Sequence, residues 1–214
     1  MKAILLAVVA TAVNTLAQPA GTRSDRTSLE ASKRPFRIRT ESPIQARANR
    51  LITVVVGGAQ DTFVPNLVNA AVGDVIQFQF SSGNHTVTQS TETAACQPLQ
   101  ASDPSAIHSG HIPYQDGQTT VGTFNMPVTS TDPMFLYCAT GPHCQEGQVL
   151  VVNPTSEEQL VNYSKLSAAA AANVDGGVVS GGTVGQIALE AAAFTPPAAE
   201  EAQAAPADTA APAV

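Results

Sequence analysis

Residues 137–148 read YCATGPHCQEGQ, and the expected architecture of the chain follows from this segment. Cys138, His143 and Gln148 are spaced five residues apart, so that one short loop offers a thiolate, an imidazole and an amide oxygen. Strand-like sequence precedes and follows the loop, which predicts that Cys138 ends one β-strand and Gln148 begins the next. Gly141-Pro142 makes the connection tight and stiff.

A second imidazole lies far upstream, in Gly83-Asn84-His85-Thr86. Two imidazoles, one thiolate and a weak fourth donor form the ligand set of a blue-copper electron-transfer site. Because His85 must come from a neighbouring strand, the fold itself has to close such a site. We therefore predict one mononuclear copper ion with four ligands: His85, Cys138, His143 and Gln148.

Short strand-like stretches surround these residues. Apolar and polar residues alternate in residues 75–80 and 119–126, and β-branched residues dominate residues 51–56. Turn-forming residues separate the stretches, and no convincing helical pattern occurs between residues 51 and 154. This pattern predicts an all-β domain, a small sandwich or barrel, over residues 51–154.

The N-terminal region indicates secretion. Residues 1–17 combine Lys2 with a short apolar run and with small residues before Gln18, as a signal peptide does. The mature protein is therefore expected outside the cell or in the cell wall, where disulfides can form. Three cysteines leave one unpaired when a disulfide forms, and metal ligation by Cys138 accounts for it.

The other segments differ from the β domain in composition. Residues 18–50 hold eight of the ten Lys and Arg and are predicted to be a basic disordered arm or pro-segment. A capping-box pattern, Thr155-x-x-Glu158, opens a predicted helix over residues 155–172. Residues 173–214 are rich in Ala, Gly and Pro and predict a disordered low-complexity tail.

Charge limits the possible partners. Residues 51–214 carry fourteen Asp and Glu against the single Lys165, a formal net charge of −13. This charge is unsuited to nucleic acid, and serves solubility or docking to a positively charged redox partner that the sequence does not identify. Beyond the signal peptide, no stretch reaches the roughly 18 apolar residues of a transmembrane helix. Residues 198–214 are too polar for a lipid-anchor signal.

Several of these stretches resemble a known family. Residues 71–78, 84–90 and 96–99, together with residues 135–154, are similar to plant phytocyanins and, more closely, to small secreted cupredoxin-domain proteins of fungi. The resemblance covers residues 51–154, about half of the chain. It implies a Greek-key cupredoxin β-sandwich that carries electrons and is not an enzyme.

The resemblance also implies roles for individual residues. His85, Cys138 and His143 match the equatorial copper ligands of the family. Gln148 falls where many relatives have Met and where stellacyanin-like members have Gln. An amide oxygen is a harder donor than a thioether and favours Cu(II), so a lower reduction potential is expected. Cys96 and Cys144 match the family disulfide, and alternation along an extended backbone makes Cys144 a poor ligand for the ion that His143 binds.

Other interpretations of the Cys and His residues remain open. A zinc site would use the same residue types, although structural zinc takes four strong ligands, usually with a C-x2–4-C spacing that is missing here. A Cys-His nucleophile and base is a second possibility. A cupredoxin scaffold without metal, acting as a cell-surface or cell-wall interaction protein, is a third. A multicopper oxidase is excluded because His-x-His motifs and further domains are missing.

Two further features have alternative interpretations. His108-Ser109-Gly110-His111 is either a second metal site or a pair of solvated side chains in a polar loop. Asn84-His85-Thr86 and Asn162-Tyr163-Ser164 are formal glycosylation sequons. The second sequon is the better candidate, because a glycan on Asn84 would conflict with a buried ligand at His85.

Overall fold

The structure, a computed structural model, describes residues 48–194. The predicted signal peptide, most of the basic arm and the end of the tail lie outside these residues. The strands are β1 (Leu51–Gly57), β2 (Thr62–Val64), β3 (Leu67–Val68), β4 (Val75–Ser81), β5 (Gly83–His85), β6 (Thr88–Ser90), β7 (Ile112–Tyr114), β8 (Thr120–Pro127), β9 (Met134–Tyr137), β10 (Val149–Val152) and β11 (Thr183–Ala188). The helices are α1 (Glu157–Ala168) and two 3₁₀ turns, Leu99–Ala101 and Leu189–Ala191.

Two sheets build the body of the fold. One has five strands in the order β11-β8-β4-β1-β2, and the other has four in the order β3-β10-β9-β6. In the first sheet β1 and β4 are parallel, whereas β8 is antiparallel to both of its neighbours. A small third sheet pairs β5 with β7. Chain neighbours such as β8 and β9 lie in different sheets, so the connections cross between them.

The inner faces of the two large sheets pack against each other. Phe78 and Phe124 of the five-stranded sheet share one buried cluster with Leu136 and Leu150 of the four-stranded sheet. Alternation along the strands produces this core, because every second residue points inward. The predicted all-β sandwich with a short C-terminal helix is confirmed.

Helix α1 covers the outer face of the four-stranded sheet. Phe135 and Tyr137 point outward there and join a second buried cluster with Tyr163 of α1. The rings of Phe135 and Tyr163 lie 5.1 Å apart between centroids, and the Tyr163 hydroxyl is 2.6 Å from Ser90 Oγ. Burial raises the pKa of the Tyr163 hydroxyl. The helix therefore belongs to the folded domain.

The start of α1 differs from the predicted capping box. Ser156 is the N-cap residue, and its side chain makes no capping hydrogen bond. The Thr155 backbone N–H instead donates to Gln159 Oε1 at 2.7 Å. The predicted Thr155–Glu158 pair is thus wrong, because the helix begins one residue later than the pattern required.

The C-terminal segment corrects the predicted disordered tail. Residues 169–182, which we call the strap, lead from α1 to β11, and β11 pairs with β8 over six residue pairs. Most side chains of β11 are exposed or half-buried, so hydropathy gives no strand signal. Backbone hydrogen bonds between β11 and β8 stabilise this segment and cover the edge of β8. At Gly182 a Cβ would lie 2.6 Å from the Phe124 ring, so glycine is required there.

The folded part also begins slightly earlier than residue 51. Arg50 falls within the predicted basic arm, but its backbone N–H donates to Asp74 Oδ1 at 2.8 Å and its guanidinium contacts Asp74 Oδ2 at 3.2 Å. Asp74 is fully buried, so the pair anchors the entry to β1. In residues 48–194 no helix has the length and apolar character needed to cross a membrane.

Candidate metal centre

Cys138 lies at the end of strand β9, in the interior between the two sheets. Phe135 and Tyr137 face α1, whereas Leu136 and Cys138 belong to the cluster between the sheets. Cys138 follows the last residue of β9 and is 0% exposed. It carries the free thiol, since the other two cysteines are paired. Because successive side chains of a strand point to opposite faces of the sheet, the Cys138 sulfur lies inside the sandwich.

His85 approaches the sulfur from β5. Its Nδ1 lies 3.7 Å from Cys138 Sγ, and its Nε2 lies 2.7 Å from the Ser82 carbonyl oxygen. A proton on Nε2 donates to Ser82 and leaves the Nδ1 lone pair directed at the sulfur. Burial lowers the pKa of His85, and the neighbouring His143 ring lowers it further. The ring is therefore held in the neutral form that binds metal ions.

His143 completes the group from the loop after β9. Its Nδ1 lies 3.5 Å from Cys138 Sγ, and its ring centroid is 5.0 Å from that of His85. The side chain is 17% exposed, so it lies between the buried sulfur and solvent. The metal-binding atoms of His85, Cys138 and His143 all lie within 4.8 Å of one another, and residues 48–194 hold no other such group of His, Cys, Asp or Glu.

Gln148 supplies the fourth polar atom. It is fully buried, and its Oε1 lies 3.1 Å from His85 Nδ1. Its Nε2 donates to the Thr62 carbonyl at 3.4 Å, which leaves the amide oxygen facing His85. The structure thus brings all four residues singled out from the sequence to one place, drawn from β5, the end of β9 and the loop before β10.

The sulfur has its own polar surroundings. The Thr86 backbone N–H lies 3.4 Å from Cys138 Sγ, and Thr86 Oγ1 accepts from the Ala139 N–H at 2.7 Å. Burial raises the pKa of the Cys138 thiol, and hydrogen bonds from Thr86 and Thr140 oppose this shift. The thiol is therefore protonated at neutral pH until a cation displaces the proton.

Donor chemistry tests which metal the residues fit. Thiolate and imidazole ligands suit both copper and zinc. Structural zinc takes four strong ligands, whereas the fourth donor here is a neutral amide oxygen. Two histidines, one cysteine and a weak fourth donor match copper better, so the residues present fit a mononuclear copper ion.

Asp61 is a further residue of the site that the sequence does not predict. Its Oδ1 lies 3.5 Å from His85 Nε2, and its Oδ2 lies 3.9 Å from His143 Nε2. The carboxylate therefore contacts the outer nitrogens of both imidazoles. Asp61 lies in the β1–β2 turn with φ +46°, a left-handed conformation that Asp tolerates better than most residues. The sequence shows only a turn there, and nothing in it places the turn beside His85.

A disulfide anchors residues 138–148, which we call the ligand loop. Cys96 and Cys144 are bonded, as the family resemblance implied, and both are fully buried. Cys144 faces the cluster under α1, whereas the neighbouring His143 faces Cys138. The two side chains point to opposite sides of the loop, so the disulfide constrains His143 without competing for the same position.

His108 departs from the solvated interpretation of its motif, whereas His111 is exposed. His108 Nε2 lies 3.8 Å and His111 Nε2 lies 2.8 Å from the two oxygens of Asp175 in the strap. His108 is 3% exposed, so the expectation of a solvated ring is wrong for it. Burial lowers the pKa of His108. This pair links the loop before β7 to the strap.

Both sequon asparagines are exposed. Asn84 precedes the buried His85, and its amide nitrogen lies 3.3 Å from His111 Nδ1. Asn162 lies on the exposed side of α1, next to the buried Tyr163. Exposure alone therefore does not separate the two sequons.

Two curated relatives are similar to the chain. A fungal protein from Arthroderma benhamiae, "Probable GPI-anchored cupredoxin-1", is 32% identical over 128 residues, which cover 60% of this chain and 63% of the relative. An "Extracellular serine-rich protein" from the same fungus is 32% identical over 139 residues, covering 64% of this chain and 53% of the relative. The match thus spans less than two thirds of either relative. No protein-family model matches the chain.

Solved structures of two other proteins are similar to part of the chain. A purple cupredoxin from Nitrosopumilus maritimus has 13% identity and a TM-score of 0.36, and the match covers 47% of this chain and 96% of that protein. The oxidized plastocyanin from Dryopteris crassirhizoma has 18% identity and a TM-score of 0.34, with the same coverage of 47% and 96%.

Proposed function

We propose that this protein is a mononuclear blue-copper protein of the cupredoxin class that transfers electrons, or holds copper, outside the cell. The observation that carries the proposal is the convergence of His85, Cys138 and His143, whose donor atoms lie within 4.8 Å of one another. Gln148 is the proposed weak axial ligand. The similarity to a relative named a cupredoxin supports the same class.

A bound copper ion would supply a one-electron Cu(II)/Cu(I) couple. The residues of this chain would hold the donor atoms in fixed positions, so that their geometry would change little between the Cu(II) and Cu(I) states. Cys138 and Gln148 flank the loop and are joined by the Cys138 N–H to Gln148 carbonyl bond of 3.1 Å. Ser82 orients His85, and the disulfide at Cys144 restrains His143. Fixed ligands lower the reorganisation that slows electron transfer.

Exposure decides where an electron would enter or leave. Cys138, His85 and Gln148 are fully buried, whereas 17% of His143 is exposed. His143 is therefore the proposed contact between the centre and a redox partner. The site has one accessible edge and serves an electron carrier better than an enzyme that must admit a substrate.

The proposed location is the extracellular space, the cell wall or the cell surface. The N-terminal sequence predicts secretion, and the two relatives carry the names GPI-anchored cupredoxin and extracellular serine-rich protein. An acidic domain would then meet a redox partner with a positively charged surface.

Copper loading of the purified mature protein tests the proposal. One equivalent of Cu(II) should give an intense blue or green colour from a thiolate ligand and an electron paramagnetic resonance spectrum of one copper site. Cys138→Ser should remove the colour while the far-ultraviolet circular dichroism stays unchanged.

A matched pair of histidine variants locates the site. His143→Gln should weaken or abolish the colour, whereas His111→Gln removes an imidazole outside the centre and should retain it. A folded protein that binds no copper would contradict the proposal and favour a cupredoxin scaffold used for cell-surface interactions.

A further inference from the structure

The strap contacts the backbone of the ligand loop through Asn173. Asn173 Nδ2 lies 2.8 Å from the Gly141 carbonyl oxygen and 3.0 Å from that of Cys138, with the Thr140 carbonyl at 3.5 Å. One amide group therefore donates to carbonyls at both ends of a four-residue turn. The bonds act on the backbone that carries the free thiol.

The next strap residue is tied to both flanks of the loop. The Val174 N–H donates to the Cys96 carbonyl at 2.9 Å, and the Val174 carbonyl accepts from the Tyr137 hydroxyl at 2.5 Å. Tyr137 precedes Cys138, and Cys96 is bonded to Cys144. Consecutive strap residues thus bind the strand before the loop, the loop itself and the disulfide behind it.

The geometry of the turn explains why this contact matters. Backbone carbonyls on a tight turn diverge, and each needs a hydrogen-bond partner if it is to leave water. A side-chain amide that joins two of them fixes the curvature between Cys138 and Gly141, two residues before His143. The separation of Cys138 Sγ and His143 Nδ1, 3.5 Å, depends on that curvature.

We propose that Asn173 is a positioning residue of the metal centre, which holds the turn of residues 138–141 in the metal-binding conformation before metal binds. Only the consequences for the copper-loaded protein rest on the proposed function. In the metal-free protein Asn173 acts on the backbone of residues 138–141 whether or not copper is the ligand. Asn173 lies in a segment whose sequence predicts a disordered tail.

Asn173→Ala tests the proposal, and Gln97→Ala is the matched control. Gln97 Nε2 donates to the Ala172 carbonyl at 3.4 Å, so its removal loosens the strap without touching the ligand loop.

The first readout is the rate at which a thiol reagent modifies Cys138 in the metal-free protein. Asn173→Ala loses the two shorter hydrogen bonds, to the Cys138 and Gly141 carbonyls, so loop opening and thiol reaction should rise about thirtyfold, the equivalent of about 1 kcal/mol per bond. Gln97→Ala should stay within about twofold of the unchanged protein, since its longer bond is outside the loop.

The second readout is the spectrum of the Cu(II) form. The charge-transfer band and the copper hyperfine splitting should change in Asn173→Ala and stay constant in Gln97→Ala. A residue that only stabilised the fold would lower the melting temperature and leave both signals unchanged. Asn173→Asp, of equal size but without the amide donor, provides the same comparison if Asn173→Ala does not fold.

The outcomes separate this inference from the proposed function. Equal thiol reactivity and equal spectra in the Asn173 and Gln97 variants would overturn the positioning role. Failure of all variants and of the unchanged protein to bind copper would overturn the proposed function, while the thiol rates would still decide whether Asn173 holds the loop.

Discussion

The Cys96–Cys144 disulfide should be the largest single covalent contribution to stability in this domain. The two cysteines are separated by 48 positions, so the bond closes a loop of 49 residues. The chain-entropy relation gives a loss of about 14 cal/mol/K in the unfolded chain, or about 4 kcal/mol at 25 °C. The double variant Cys96→Ala/Cys144→Ala should therefore lose about 4 kcal/mol of unfolding free energy.

Urea unfolding of the metal-free protein measures this loss. Metal-free samples are needed because a ligand that binds only the folded state adds its own stability. With a slope of about 2 kcal/mol/M, the midpoint should fall by about 2 M. Circular dichroism is a suitable signal, since the chain has no tryptophan.

Reduced but otherwise unchanged protein is the control for the missing sulfur atoms. It lacks the covalent link but retains both buried side chains, so its midpoint should lie close to that of the double variant. A loss below about 1 kcal/mol in both samples would refute the reasoning, because the unfolded chain would then gain little freedom. A large loss in the double variant alone would assign the effect to packing around the two buried sulfurs.

Two further predictions follow from the buried polar residues. Gln148→Met replaces a hard amide oxygen with a softer thioether, so cyclic voltammetry of the copper form should show a higher reduction potential; an unchanged or lower potential would mean that Gln148 is not the axial ligand. Burial lowers the pKa of both His85 and His108, so the unfolded chain binds protons that the folded protein excludes. The unfolding free energy of the metal-free protein should thus be constant above about pH 7 and fall below about pH 6.5, by up to about 1.4 kcal/mol per pH unit for each histidine. His108→Gln should reduce that slope in urea titrations, and a slope unaffected by this change would exclude His108 as a source.

Local patterns made part of the centre predictable. Cys138, His143 and Gln148 lie within eleven residues, so their proximity follows from chain connectivity alone. The strand-like residues that lead to Cys138 predicted a strand, and the structure has β9 there. The approach of His85 to within 3.7 Å of the sulfur depended on the fold, and the sequence supported it only through the ligand set and the family resemblance.

The sequence alone determined the β-sandwich class and the choice of candidate ligands, because hydrophobic alternation, turn residues and donor chemistry are local properties of the chain. The tertiary structure decided the rest of the centre. Asp61 contacts His85 and His143, and Asn173 contacts the Cys138 carbonyl, only because the fold brings distant parts of the chain together. Nothing in the sequence distinguishes this aspartate from others in turns or this asparagine from others in a tail. Strand β11 and the strap are held mainly by backbone hydrogen bonds and single polar contacts, which composition and hydropathy do not record.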